Sequence, residues 1–443
     1  MKRKKWLMVI TLVMLAGICG CGSKKETRDT YVEGTDFQYQ YMEYSGGQLQ
    51  QHGKEGEFFL RGSFLSYVEK KTNEIVPLCN KADCLHDKET DLEKMQECHA
   101  FVGSMDFDSE NLNANLKNSI AYSDGFVYFL QTRDLTEPPY EDQVLWRFRE
   151  DGSGKEEVYH WEQSVVSDWI IHRNALYYIE QSYHVPEGMK SDAEPEQYFV
   201  LRELALDGKK ELKTIYEPEK NQHTIGMDSL QAYGNHVYFL LATEEIDTKQ
   251  DYTNEHCWNY DIQTGEANQI EIPNAKKGDV MAGDLCFWKD KIIPMIYNVD
   301  TMDFAEKQDI YMLDLDGKNA KIFQKDVPYG MNYQSDGTYL YRSNWTRWYK
   351  KFDKEGEIDV FDKKDNQIDT LKMDFNETKE PMGIGDMFYS FRWNDEGTRA
   401  VVECFDKTKI GSYKGRKPEM KKIGEIKENV FLKEEKQKCS DGE

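Results

Sequence analysis

One pattern of strands and turns recurs along most of the chain and limits what it can fold into. Each copy has an aromatic-rich strand, a polar connection, a second alternating strand, a tight turn and a third strand, as in "SIAYSDGFVYFLQT" followed by "QVLWRFREDGSGKEEVY". Alternation of apolar and polar residues around Asp-Gly turns is typical of β-hairpins. The turns before the aromatic strands fall near Gly125, Asn174, Asn235, Asp290 and Gly337. Their spacing of about 50 to 60 residues suits four-stranded propeller blades with long connections.

Two weaker copies flank the clear ones, at residues 56–79 and 386–405. We therefore predict an all-β chain with one β-propeller domain over residues 31–435, most simply of seven blades with four antiparallel strands each, followed by a polar tail at 436–443. Six or eight blades are the nearest alternatives, and a pair of β-sandwiches is the competing fold. Helix is expected only around "DLEKMQE".

The last blade is degenerate, which raises the question of how the ring closes. A strand from the other end of the chain often completes such a blade, because this removes open sheet edges. We expect "TYVEG" (30–34) or "FLKEE" (431–435) to be that strand.

Residues 1–20 have the features of an export signal: "MKRKK" is followed by the apolar run "WLMVITLVMLAGI". The run is too short for a comfortable membrane span. "Ile18-Cys19-Gly20-Cys21" resembles the lipobox of bacterial lipoproteins, which implies a diacylglyceryl thioether on Cys21. Cys19 fits poorly, because Ile18 would occupy the cleavage position that takes a small residue. An uncleaved signal anchor is the alternative; otherwise residues 21–30 form a lipidated flexible tether.

The charge balance excludes one class of partner. The chain has 57 basic and 81 acidic residues, a net charge of −24. Removal of residues 1–20 takes four of the basic residues and none of the acidic ones, so the mature charge is about −28. Such an acidic chain is a poor partner for nucleic acid or for an anionic lipid surface, so the lipid itself must supply the membrane attachment.

A lipobox followed by aromatic blades with Asp-Gly turns resembles the exported β-propeller lipoproteins of Gram-positive bacteria, which are broadly TolB-like. The resemblance covers most of the mature chain, and the motifs that carry it are generic turn chemistry. It implies a propeller fold and a lipid-anchored position on the extracytoplasmic face of the cell membrane. It implies no particular activity.

The long connections all join second to third strands or one blade to the next, and these emerge on one face of a propeller. They span residues 132–142, 182–197, 243–256, 299–308 and 344–357. Long loops on one face of a rigid scaffold commonly bind ligands. Alternatively, these loops are long only because insertions at a protein surface cost little stability. Their candidate ligand-contacting residues are Tyr140, Tyr183, His184, Tyr252, His256, Trp345, Arg347, Trp348 and Tyr349. Trp345 and Trp348 could instead pack beneath their own loop.

Three cysteines and a histidine cluster in the stretch 79–117, which links the first blade to the second. Cys79, Cys84, His86 and Cys98 could bind a structural zinc ion as a closed three-cysteine, one-histidine site. Alternatively, two of the three thiols form a disulfide, or all three stay unbridged, since spacing alone cannot fix connectivity. Cys257, Cys286 and Cys404 lie in strand-like contexts and are expected to be small buried thiols.

Other chemistry is sparse, and catalytic residues cannot be assigned. Asp106, Asp108 and Glu110 alternate as in a calcium loop, but the required glycine and terminal glutamate are missing. The sequence contains no metalloprotease, nucleophile-elbow, phosphate-loop or kinase motif. The first hypothesis is therefore a non-catalytic module that binds a glycan, peptide or partner protein through its long loops. The rivals are a glycoside hydrolase or lyase that uses loop carboxylates, and a structural subunit of an envelope complex.

Overall fold

The computed structural model describes residues 29–38, 50–61, 63–103, 113–114, 120–134, 141–161, 164–184, 196–206, 211–219, 224–246, 251–273, 275, 279–281, 285–298, 307–328, 331–343, 355–374, 379–384, 386–393 and 399–427. These residues form seven four-stranded antiparallel blades arranged as a β-propeller, which confirms the predicted fold class and blade number.

The first four blades follow one another along the chain. Blade 1 contains β1 (Gln50–His52), β2 (Gly56–Arg61), β3 (Phe64–Glu69) and β4 (Ile75–Pro77). Blade 2 contains β5 (Asn113–Ala114), a short extra strand, and β6 (Ile120–Ser123), β7 (Phe126–Asp134), β8 (Glu141–Arg149) and β9 (Glu156–Trp161). Blade 3 contains β10 (Val165–His172), β11 (Ala175–His184), β12 (Glu196–Ala205) and β13 (Leu212–Tyr216). Blade 4 contains β14 (Thr224–Tyr233), β15 (His236–Ile246), β16 (Asp251–Asp261) and β17 (Ala267–Gln269).

The remaining blades repeat the order. Blade 5 is built from β19 (Cys286–Phe287), β20 (Lys291–Ile293), β22 (Lys307–Asp314) and β23 (Lys321–Pro328), with β18 (Asp279–Met281) paired to β21 (Ile296–Asn298) beside it. Blade 6 contains β24 (Asn332–Ser335), β25 (Leu340–Ser343), β26 (Glu355–Phe361) and β27 (Gln367–Asp374). Blade 7 contains β28 (Lys379–Ile384), β29 (Met387–Trp393), β30 (Arg399–Asp406) and β31 (Lys421–Lys427).

The first strand of each blade lies next to the propeller axis, where β1 contacts β6, β6 contacts β10 and β10 contacts β14. Because the strands alternate in direction, the turns from first to second and from third to fourth strand share one face, here called the short-turn face. The connections from second to third strand and between blades share the other, here called the long-connection face.

The inner hairpins are closed by turns that the sequence favours. In blades 2, 3 and 5 two successive turn residues have positive φ: Asp124 and Gly125 (50° and 79°), Arg173 and Asn174 (49° and 61°), and Lys289 and Asp290 (56° and 55°). Two positive φ angles in a row characterise turns whose twist matches that of the flanking strands, and Asn, Asp and Gly tolerate them best. The predicted turn positions near residues 125, 174 and 290 therefore fold as expected.

Apolar side chains fill the spaces between neighbouring blades. Blades 2 and 3, for example, share a cluster in which Trp169, Leu130 and Leu145 are fully buried. Two glutamine side chains also hydrogen-bond to the backbone of the next blade. The Gln143 amide accepts from Val166 N (2.5 Å) and donates to Val166 O (3.3 Å). The Gln231 amide likewise accepts from Leu285 N (2.7 Å) and donates to Leu285 O (3.1 Å). The ring is thus held by packing and by side-chain hydrogen bonds.

Residues 30–34 do not form the predicted closing strand. Blades 1 and 7 each complete four strands from their own stretch of chain, and residues 30–34 lie outside any strand, with a turn at 33–35. Residues 431–435 lie outside the described residues. Blades 1 and 7 meet through side chains: Phe59 packs edge-on against Tyr389 at 5.3 Å, and a Cβ on Gly424 would lie 2.1 Å from Cγ2 of Ile75. The close approach of β31 to β4 makes glycine necessary there.

Helix is rare among the described residues. The segment predicted at "DLEKMQE" forms helix α1 (Leu92–Gln96), whose start is capped by the Asp91 carboxylate accepting from Glu93 N at 3.1 Å. A 3-10 turn at His86–Lys88 precedes it, and another lies at Lys407–Lys409. In the part of the chain that the structure describes, no helix has the length and apolar character needed to cross a bilayer.

Candidate functional site: an axial funnel and a cysteine cluster

A funnel of about 880 Å³ opens on the short-turn face, around the propeller axis. It is walled by turns and strand ends of blades 1, 4, 5, 6 and 7, and by residues that precede blade 1. Its lining residues are Thr30, Tyr31, Glu33, His52, Glu57, Lys70, Asn73, Tyr233, Asp290, Asp336, Gly337, Thr338, Lys363, Asp386, Met387 and Tyr389. The funnel has a volume in the range of small-molecule and short-peptide sites.

Carboxylates dominate the charge of the funnel. Five carboxylates line it against two lysine ammonium groups. Asp290, Asp336 and Asp386 occupy the same kind of position, the turn from first to second strand in three successive blades. Because that turn lies at the axis in every blade, the repeat itself brings these side chains together.

Three of the carboxylates have partners within the wall. Asp336 accepts from Lys407 Nζ at 2.5 Å and from the Tyr341 hydroxyl at 2.6 Å, and both side chains of this ion pair are at least 95% buried. Glu57 lies 2.8 Å from Nδ1 of His52. Asp290 accepts from the Tyr233 hydroxyl.

The other charged groups of the funnel lie nearer its mouth. The Glu33 side chain is 79% exposed and lies 3.7 Å from Nε2 of His52, and Asp386 and Lys363 are also exposed. Lys70 is exposed as well and is directed to the backbone, donating from Nζ to Gly53 O at 2.8 Å. Together with Asp290, the exposed charged residues of the funnel are three carboxylates and two lysines, so the exposed charge of the rim is net negative.

Two of the three tyrosine rings that line the funnel, those of Tyr233 and Tyr389, are packed into its wall. Tyr233 stacks on Phe287 with ring centroids 5.2 Å apart, and Tyr389 is buried against Phe59. Burial raises the pKa of the Tyr233 hydroxyl well above its usual value, and the hydrogen bond to Asp290 raises it further. Burial likewise raises the pKa of Tyr389. These rings are not available as flat platforms for a ligand.

The segment Asp29–Gln38, here called the axial strap, crosses the other half of the axis on the short-turn face. On blade 1, the Gln38 amide accepts from His52 N and donates to His52 O, both at 2.6 Å. On blade 2, Gly34 O accepts from Asp124 N at 2.8 Å. The strap thus connects the inner ends of neighbouring blades.

The strap is held most firmly on blade 3. The Arg173 guanidinium donates to Asp36 Oδ1 at 2.9 Å and to Oδ2 at 3.1 Å, and it also reaches Thr30 O at 3.0 Å. The Arg173 and Asp36 side chains are only 5% and 0% exposed. His172 is completely buried and accepts from Phe37 N at 3.0 Å. Burial lowers the pKa of His172 to about 4, so the ring is neutral and suited to accept this bond.

Blade 4 holds the first residue of the strap. The Asp29 carboxylate accepts from Asn235 N at 3.0 Å and lies 3.2 Å from Nε2 of His236. Burial opposes protonation of His236, but the hydrogen bond and charge of Asp29 outweigh it, so the pKa of His236 is raised. Burial opposes ionisation of Asp29, yet its bonds to His236 and Asn235 prevail and its pKa is lowered.

The cysteine cluster forms a second candidate site. The ligating atoms of Cys79, Cys84, His86 and Cys98 all lie within 4.8 Å of one another, and Cys98 Sγ is 3.6 Å from His86 Nδ1. This set could hold a metal ion. His86 reaches it with a positive φ of 52°, a strained conformation for a residue other than glycine. The six described cysteines are all unbridged.

The loop that carries the cluster is fastened to two blades. Phe101 packs edge-on against Phe64 at 5.5 Å, and Leu65 N donates to Ala100 O at 2.8 Å, which fixes the loop on blade 1. Asp87 lies 3.5 Å from Arg399 of blade 7. The small apolar cluster around Phe64, Met95, Cys98, Ala100 and Phe101 is separate from the cores between the blades.

The predicted ligand residues of the long connections are mostly beyond what the structure describes. Tyr140, Trp345, Arg347, Trp348 and Tyr349 lie outside the described residues, as do Cys21, Asp106, Asp108 and Glu110. Tyr183 and His184 end β11 and Tyr252 lies near the start of β16. His256 is half-buried, with Nδ1 at 3.0 Å from Gln269 Nε2, and burial lowers its pKa. The long-connection face therefore stays a prediction.

The funnel was not predicted, although the sequence carries a signal for it. Acidic residues recur in the inner turns at 290, 336 and 386, but these turns were used only to locate the blades. The strap was not predicted because residues 30–34 were expected to pair as a strand, and residues 29–38 contain no recognised motif.

Comparison with known proteins identifies only solved structures of low sequence identity. No family model matches the chain, and no curated protein matches it. Among solved structures, the chain is similar to the β-propeller domain of the Trilobed protease from Pyrococcus furiosus, with 12% identity and a TM-score of 0.43 over 70% of this chain and 82% of that one. It is also similar to a puromycin hydrolase mutant (10%, TM-score 0.46), covering 90% of this chain but only 56% of that one. An oligogalacturonate lyase in complex with manganese aligns at 11% identity and TM-score 0.40, over 64% of this chain and 72% of the lyase.

Proposed function

We propose that this chain is a lipid-anchored, extracytoplasmic binding module whose axial funnel takes a peptide segment bearing lysine or arginine. The funnel supports this proposal because its rim is acidic and its parent chain carries a net charge of −24. A cleft lined by one sign of charge concentrates ligands of the opposite sign. Its volume of about 880 Å³ accommodates a few residues of an extended peptide.

A peptide fits the funnel better than a glycan does. Sugar rings are commonly bound by stacking on exposed aromatic faces. Tyr233 and Tyr389 are 4% and 3% exposed and already pack on Phe287 and Phe59. Tyr31, the third tyrosine of the funnel, is half-buried and already stacks near Tyr233, with ring centroids 6.3 Å apart. We therefore assign recognition in this funnel chiefly to charge and hydrogen bonding.

Binding also fits better than catalysis, although the funnel gathers carboxylates from several blades as a glycoside hydrolase or lyase would need. Glu57, Asp290 and Asp336 are each engaged by a neighbouring side chain, and Asp336 sits in a buried ion pair. A structural envelope subunit would present a broad apolar patch. The large exposed apolar residues that the structure describes, such as Val76, Leu212 and Ile322, belong to different blades.

The test is calorimetric titration of the mature chain with short lysine-rich and glutamate-rich peptides. We expect the lysine-rich peptide alone to bind. The Glu33→Gln and Asp386→Asn variants remove exposed rim charges and should each weaken binding about two- to fivefold, the usual value of an exposed ion pair. Glu419→Gln is the matched control, since it removes the same charge from an exposed position outside the funnel. Failure of wild-type protein to prefer the basic peptide contradicts the proposal.

We further propose that Cys79, Cys84, His86 and Cys98 hold a structural zinc ion. Three thiolates and an imidazole are a set that zinc prefers, and their mutual distances within 4.8 Å suit a tetrahedron with Zn–S bonds of about 2.3 Å. Four protein ligands leave no open position, so the ion would organise the loop and take no part in a reaction. The loop has only a small apolar cluster of its own, which explains why a metal would be useful there.

The test is metal analysis with a thiol count on mature protein purified without chelator. We expect about one zinc per chain, lost in Cys98→Ser but kept in Cys404→Ser, which changes an equally buried thiol elsewhere. Chelator should make residues 79–99 sensitive to protease while the blades stay intact. Two fewer reactive thiols and no zinc would instead indicate a disulfide, and fully reactive thiols would end the metal proposal.

A further inference from the structure

The place where the chain enters the propeller determines which face a membrane anchor would turn to the bilayer. Asp29 and Thr30, the first described residues, lie at the axis on the short-turn face, and Thr30 lines the funnel itself. We propose that the funnel opens toward the membrane and that its ligand is a basic segment held close to the bilayer surface. This inference rests on the proposed function, because the orientation requires the lipid anchor on Cys21.

The length of the tether sets how far the funnel can lie from the lipid. Seven residues separate Cys21 from Asp29, and the eight residue steps between these two positions span at most about 29 Å when the chain is fully extended. A propeller anchored at the axis of one face by so short a tether cannot present its opposite face to the membrane without passing the tether around its own rim. The long-connection face therefore points away from the bilayer.

The strap transmits this orientation to the whole ring. Gln38 is bonded to blade 1, Gly34 to blade 2, Asp36 to blade 3 and Asp29 to blade 4. The Arg173–Asp36 pair is almost completely buried, so the strap does not swivel about a single exposed contact. The propeller can therefore rotate relative to the membrane only through bond rotations in the tether.

The charge of the molecule defines the partner. An acidic propeller is repelled by anionic lipid headgroups, which keeps the funnel from being closed against the bilayer. A cluster of lysine and arginine residues flanking the membrane-spanning helix of another protein would be attracted into the same gap. We therefore assign the funnel to a basic juxtamembrane peptide segment.

The orientation is tested with the full lipidated chain in vesicles, after mass spectrometry of the acyl chains on Cys21. A fluorescent amino acid is introduced in place of Lys363, an exposed residue of the funnel, or of Lys307, an exposed residue that follows a long connection of blade 5. Energy transfer to an acceptor lipid should be at least about twofold greater from position 363, since the tether limits its distance from the bilayer. Equal transfer, or more from position 307, overturns the orientation.

Two controls separate this inference from the proposed function. Insertion of about twenty Gly and Ser residues after Lys25 frees the propeller from the short tether and should remove the difference between the two positions. Vesicles carrying a synthetic lysine-rich segment on a membrane helix should recruit the unlipidated chain of residues 22–443, and Glu33→Gln in that chain should reduce the recruitment. An unacylated Cys21 overturns the orientation while leaving the calorimetric test of peptide binding unaffected. Recruitment equal to that of plain vesicles overturns the assigned partner.

Discussion

Two adjacent residues at a single turn, His172 and Arg173, make five hydrogen bonds to the strap. Arg173 supplies charge to a buried carboxylate, whereas His172 must stay neutral to accept from Phe37 N while its other nitrogen bonds Gly234 O at 2.9 Å. Neighbouring positions in one turn thus hold a permanent cation and a ring kept uncharged by burial. This combination makes the strap sensitive to acid.

The pKa of His172, lowered from 6.5 to about 4, predicts the direction of that sensitivity. The unfolded chain takes up a proton below pH 6.5, but the folded chain does not until about pH 4, so stability is lost as the pH falls through this window. The loss due to this residue is on the order of 3 kcal/mol. Urea unfolding of wild type and His172→Gln between pH 7 and 4 measures it, because glutamine can keep both hydrogen bonds without titrating. Equal pH slopes for the two proteins would rule out this role.

At this scale the sequence was more informative about the cysteine cluster than about the funnel. Cys79, Cys84, His86 and Cys98 could be grouped because they are close along the chain. The positive φ of His86 and the burial of Cys98 depend on the fold and could not be read from spacing. The funnel carboxylates come from blades far apart in sequence, so their convergence appears only once the ring is built.

Among the elements, the inner strands are joined to their neighbours by glutamine side chains as well as by apolar packing. The Gln231 amide satisfies both backbone groups of Leu285 in the next blade and is 1% exposed. It therefore hydrogen-bonds two neighbouring sheets that are not paired by their own backbones. Backbone groups between blades have no ladder of their own, which is why a side-chain amide is useful there.

Gln231→Leu should destabilise the propeller by about 2 to 4 kcal/mol, because it leaves a buried N–H and a buried C=O without partners. Gln269→Leu, an exposed glutamine in the same blade, should cost less than about 0.5 kcal/mol. Chemical denaturation of both variants at pH 7 provides the comparison. Similar losses in the two proteins would show that the amide contributes no more than a surface side chain.

Strand identity was predictable at this scale, but strand ends were not. A period of two in apolar residues located the blades, since it reflects which side of each strand is buried. The predicted connection at 243–256 is largely strand, because β15 continues to Ile246 and β16 begins at Asp251. Backbone pairing of a projecting hairpin needs no apolar alternation, so the polar sequence there gave no sign of it.

For the whole molecule, the ring closes where two complete blades pack side by side. The prediction of an exchanged strand was reasonable from the degenerate last copy, but the contacts of Phe59 with Tyr389 and of Ile75 with Gly424 close the ring without one. Which apolar surfaces meet across 300 residues depends on shape, and a single sequence does not reveal that. The strap adds a second connection between blades 1 and 4 on the short-turn face.

The strap also determines how the molecule carries mechanical load. A force applied through the chain before Asp29 enters at the axis and is divided among blades 1, 2, 3 and 4, because each holds the strap by its own hydrogen bonds. In a ring closed by an exchanged terminal strand, the same pull would unzip that strand one bond at a time. Here the pull must break the contacts of Asp29 with blade 4 and then the buried Arg173–Asp36 pair of blade 3 before it reaches Gln38 and the first strand of blade 1.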